Sequence, residues 1–185
     1  MKMLCLPVLS LFFLPALSAQ DLSRYRSLSL GLNLTTTLKQ TGQELQHVDV
    51  LSEHPAVIQN VTWWPRSTAV NAGWSESVEQ IFLCFFNGEL YKISVIYDQH
   101  AIGGLRDEDI VESISALYGE PSTIAPNPVR ATEHRFDMKQ RLIASWTGSQ
   151  YTVRLLGDPF AYDMELLLFY QQVNSEAEAG MIEAR

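Results

Sequence analysis

Apolar positions change their spacing several times along this chain, and each change marks an element. After an apolar run over 4–17, Asn33 is placed to cap a short helix and Gly42 to end it. That helix is weak, because Thr35, Thr36 and Thr37 are β-branched. Strand-like runs follow at 48–51 and 57–64, with Pro55 between them and Pro65 closing the second. Residues 67–77 form a polar loop. Two further runs, 78–86 and 89–97, flank Asn87-Gly88, a dipeptide suited to two-residue hairpin turns because both positions tolerate positive φ.

Past the break at Gly103-Gly104, Asp107 opens a second helix with Glu108 and Asp109 at its positive end. Ile110, Val111, Ile114, Leu117 and Tyr118 make its apolar stripe, and Gly119 and Pro121 stop it. A proline-rich loop over 121–128 leads to strands at 131–136, 142–147, 150–156 and 164–171, while the tail 173–185 reads as polar and frayed. The fold class is α+β: a tandem repeat of two units, 20–100 and 101–172, each a helix followed by a three- or four-stranded antiparallel sheet.

The ends and the charge narrow the setting. Residues 1–19 have the layout of a secretory signal peptide: Lys2, then the apolar run interrupted by Pro7 and Pro15, then the small-residue stretch around Ala16 and Ala19. The run falls short of the roughly 20 residues that cross a bilayer as a helix, so no stable membrane span is expected after cleavage. Cleavage removes Lys2 and takes the formal charge from -8 to -9, a balance that repels nucleic acid and anionic lipid. Only Cys84 then remains of the 2 cysteines, so no internal disulfide can form, and the expected location is the periplasm or the exterior of a bacterium.

The stretch GLNLTTTLKQTG, through Gly31, Leu32, Asn33 and Gly42, resembles the opening of the small envelope modules typified by the outer-membrane assembly lipoprotein family and by β-lactamase inhibitory protein. Thr37 and Thr41 stand where those modules usually have apolar residues, and LYGEP at 117–121 resembles the closing part of the same motif a second time. AVIQ and FNGELY also resemble pieces of secreted bacterial proteins of unknown function. The resemblance to the inhibitor implies two α+β units side by side, joined through a broad antiparallel sheet that binds without catalysis.

The chain matches no nucleophile elbow, phosphate-binding glycine loop, HExxH helix or paired CxxC, so no cofactor is expected. With a two-residue turn, 84 pairs with 91 and 82 with 93. Phe82, Cys84 and Phe86 then share a face with Tyr91, Ile93, Val95 and Tyr97, and Cys84 is a small hydrophobe rather than a reactive thiol. The opposite face is rich in apolar residues, which makes Ile81, Leu83, Phe85, Leu90 and Ile96 candidates for an interface, with Trp63 and Trp64 beside them. The best metal-ligand grouping is His47, Asp49 and His54, with Glu53 nearby; a solvated strand end and loop is the plainer reading of that segment. Asp98 and His100 read as a solvated corner, and His134 has no partner visible in sequence. The expectation is therefore a noncatalytic exported envelope protein whose sheet binds another protein, a second copy or a small apolar ligand. The alternative is a metal-assisted hydrolase using His47, Asp49 and His54.

Overall fold

The computed structural model describes residues 21–65, 74, 77–130, 140–157 and 164–183, with 126–130 as backbone. In chain order the elements are β1 Arg24–Tyr25, β2 Leu28–Ser29, α1 Leu34–Thr41, a 3-10 turn Leu45–His47, β3 Val48–Ser52, β4 Ile58–Trp63, β5 Val78–Phe86 and β6 Glu89–Tyr97. They continue with α2 Gln99–Ile102, α3 Asp107–Tyr118, β7 Thr123–Arg130, β8 Arg141–Thr147, β9 Tyr151–Gly157, β10 Met164–Tyr170 and α4 Gln171–Glu183. The fold is α+β, built on an 8-stranded sheet of order β3-β4-β5-β6-β10-β9-β8-β7, with β1 and β2 in a small separate hairpin. Every neighbouring pair is antiparallel, and β6 and β10, the last strands of the runs β3 to β6 and β7 to β10, meet at the centre.

Local chemistry explains the helices. Asn33 accepts a hydrogen bond from the Thr36 amide at 2.8 Å, and Gly42 ends α1 at φ 67. Thr37 and Thr41 are buried despite their hydroxyls. Thr37 Oγ1 donates to the Asn33 carbonyl at 3.1 Å and Thr41 Oγ1 to the Thr37 carbonyl at 2.9 Å, so neither polar group is left unpaired. Asp109 closes the start of α3 by accepting from the Arg106 guanidinium at 2.8 Å, and that hydrogen bond holds its carboxyl below the usual range. Asp107 accepts from the Arg141 guanidinium at 2.6 Å, which ties α3 to β8.

One face of the sheet, the helix face, carries the main core. Val61, Ile81, Leu83, Phe85, Ile93 and Val95 meet Leu38 of α1 and Ile110, Val111 and Ile114 of α3, while Val153, Leu155, Leu166 and Leu168 continue the layer. Trp146 is fully buried there, and its Nε1 donates to the Gly119 carbonyl at 2.7 Å, which fixes the end of α3 on β8. Leu117, assigned to the buried stripe from its spacing, is 62% exposed instead. Tyr97 and Tyr118 lie in the same layer close to Tyr25, and Tyr118 Oη donates to the Arg24 carbonyl at 2.8 Å. Burial pushes both phenols well above the usual phenol range, and the neighbouring Tyr25 adds to it.

Three expectations are corrected. The hairpin turn is as expected, with Asn87 at φ 50 and Gly88 at φ 83, but the register is not: Phe85 pairs with Leu90 and Cys84 with Lys92. A bulge at Tyr91 therefore moves the rest of β6 by one residue. Ile93, Val95 and Tyr97 join Ile81 and Leu83 on the helix face, whereas Lys92, Ser94 and Ile96 turn to the other side with Cys84. Unbulged pairing would have driven the Lys92 ammonium into the apolar core, at a cost that one extra residue avoids.

Second, the proline-rich segment read as a loop is the edge strand β7. It pairs with β8 at Thr123 and Ile124 and again at Val129 and Arg130, with its register break across Pro126 and Pro128, where missing amides remove no ladder bond. The strand expected at 131–136, with His134, lies outside the described residues, as does the leader 1–19. Third, the polar tail forms α4, whose Ala177 is fully buried with Val173 and Met181 alongside. These sit at intervals of four, one helical stripe among acidic neighbours. Among the described residues, no helix is long and apolar enough to cross a membrane.

Candidate binding surface

The sequence-derived candidates separate once the faces are known. Ile81, Leu83 and Phe85 are wholly buried and Leu90 nearly so, all on the helix face, so their partners are α1, α3 and the facing strands of this chain. Ile96 is half-buried on the outer face. Trp63 is half-buried and packs against the core, while its neighbour Trp64 is 61% exposed, as alternation along a strand requires. Trp146 is core, and Trp74 packs edge-on against Tyr97 at 5.2 Å between ring centroids.

The outer face of the first hairpin is covered too, by α4. Ile58 and Tyr91 are buried beneath Ala177, with Cys84 and Phe86 packed beside them. Cys84 Sγ lies 3.6 Å from Asn60 Oδ1, and burial raises the Tyr91 phenol well above its usual range, helped by Cys84 and Glu178. The thiol sits in a packing site.

Further along the outer face, Glu165 of β10 is buried. It accepts from Ser94 Oγ of β6 and, at 2.8 Å, from Gln140 Nε2, so the carboxylate stitches β10 to β6 and to the residue before β8. Leu156, Leu167, Phe169 and Leu142 cluster near it, and the Arg154 guanidinium lies 5.0 Å over the Phe169 ring.

His47 ends the 3-10 turn, Asp49 lies in β3 and His54 follows it in the link to β4; all three are exposed. His47 is thus outside the strand that holds Asp49. Among the described residues, no group of three His, Cys, Asp or Glu side chains could hold a metal ion.

The same segment carries a feature the candidate residues only bordered. β3 is a terminal strand of the sheet, pairing among the described residues with β4 only. Along it, Leu45 (70%), Val50 (52%), Leu51 (57%), Val57 and Trp64 are exposed large apolar side chains. Because β4 runs antiparallel to β3, Trp64 just after β4 lies at the same end as Leu45 just before β3, and Val57 lies at the end with Leu51. Exposed apolar side chains therefore stand at both ends of this edge. Its sequence signal was Val50-Leu51, adjacent apolar residues set between Asp49 and Ser52 in a short strand.

The other terminal strand, β7, breaks its register across Pro126 and Pro128, a protected edge. β3 has no proline between Val48 and Ser52; its guards are Asp49 and an irregularity between Val50 and Ser52. Compared with known proteins, the chain matches no family model, and no curated protein or solved structure shows significant similarity to it.

Proposed function

We propose that this chain is an exported, noncatalytic protein of the bacterial envelope that binds another protein at one edge of its sheet. The observation that carries the reading is the contrast between edges: β3 exposes Val50 and Leu51, with Leu45 of the preceding 3-10 turn and Trp64 after β4 exposed at its other end, whereas β7 is interrupted by two prolines. The leader-like segment 1–19 supports export. The order of elements supports a tandem repeat, since α1 precedes β3 to β6, α3 precedes β7 to β10, and the two runs meet at their last strands.

The test places a photo-crosslinking residue at Leu51 in one variant and at the exposed Glu112 of α3 in another, on protein in its native envelope. The expected result is one recurrent protein crosslinked from position 51 and absent from position 112. Equal crosslinking from both positions would sink the reading.

A further inference from the structure

We propose that β3 takes an extended peptide segment, with basic side chains beside apolar ones, as an added strand of the sheet. This rests on the binding surface proposed above and names how it is occupied. In an edge strand main-chain N–H and C=O groups turn away from the paired neighbour, and Val48–Ser52, roughly 17 Å at about 3.4 Å per residue, offers such donors and acceptors on either side of its register shift between Val50 and Ser52. The side chains beside them, Val50 and Leu51, are exposed and apolar and would give an incoming strand something to cover.

Charge selects the occupant. Glu44, Asp49 and Glu53 are exposed along this edge, and no Lys or Arg occurs from residue 40 to 65; the other ionisable groups there are His47 and His54. Two copies meeting edge to edge would bring these carboxylates together on chains of formal charge -8. A segment carrying Lys or Arg next to Val, Ile or Leu meets both the acidic rim and the apolar centre. Its main chain completes the ladder.

The experiment uses the full chain and a synthetic probe, acetyl-Lys-Val-Lys-Val-Lys-Val-Lys-amide, with its glutamate counterpart and a fully N-methylated form as controls. Amide hydrogen exchange and nuclear magnetic resonance shifts are read along the chain. The expected result is slowed exchange within 48–52 with the lysine peptide. The glutamate peptide should give no response, and affinity should fall at least tenfold on N-methylation, which removes the strand's donors. Asp49→Lys, at an exposed position, should weaken binding about two- to fivefold with the far-ultraviolet spectrum unchanged. Equal binding of the N-methylated form would overturn strand addition in favour of side-chain docking. Concentration-dependent dimerisation that protects 48–52 without peptide would make a second copy the occupant and overturn the proposal. No peptide response alongside a specific crosslink from Leu51 would overturn it too, while leaving the binding surface in place.

Discussion

Single residues decide where elements start, stop and turn, and the sequence is most legible there. Asn33, Gly42, Asn87-Gly88 and Gly119 act through one side-chain amide oxygen or one positive φ, and each stands where its chemistry requires. Tyr91 was less legible, because a bulge answers to both faces at once. Its cue was the odd spacing between Leu90 and Ile93, Val95, Tyr97, all of which must reach the core. The buried phenols lead to a prediction. Tyr91, Tyr97 and Tyr118 keep their protons in the folded chain to higher pH than in the unfolded one. Their contribution to stability is therefore complete below the unfolded value near 10 and is lost as pH rises above it, by about 1.4 kcal/mol per pH unit for each phenol still protonated when folded. Phenolate absorbance should appear in step with loss of the far-ultraviolet signal. Three ordinary titrations in a chain that stays folded would contradict this.

Elements were readable where their pattern was strong and hidden where neighbours override it. β5, β6 and α3 have the bounds their periodicity predicts, because each has a clear apolar face and a residue that ends it. β7 was hidden by prolines that are harmless only on an edge, a position set by the whole sheet. α4 was hidden because its contact stripe is thin: Val173, Ala177 and Met181, with Gly180 inside the helix and Glu176 and Glu178 around it. Gly180 is also its weak point. A Cβ there would meet Pro55 at 3.6 Å, ordinary contact, so Gly180→Ala should stabilise the protein by about 0.5–1 kcal/mol through helix propensity. A raised urea midpoint would show it. Since Cys84 lies under α4, native thiol labelling should slow by about two- to fivefold, and labelling should be fast in denaturant. A lowered midpoint would mean that Pro55 cannot yield, and unchanged labelling would mean that Cys84 is reached without α4 opening.

At the scale of the molecule, the α+β class and the antiparallel sheet could be read from the order of helices and strands. Which strands meet at the centre could not, because β6 and β10 are far apart in sequence and pair through long-range packing. The exposed β3 edge lies beside His47, His54, Trp63 and Trp64, and only the order of the whole sheet leaves it without a second described strand beside it. The central seam yields a prediction: a chain ending at residue 163 loses the partner of β6 and the Glu165 stitch to Ser94, so it should show no cooperative urea transition. A transition at the full-length midpoint would show that the first run of strands stands alone. The seam also sets a clock. Synthesis delivers β6 long before β10, and at about 5–20 residues per second the gap is on the order of several seconds. Throughout that interval the newborn chain lacks the strand that closes its centre, and the two halves of the sheet can join only when β10 arrives.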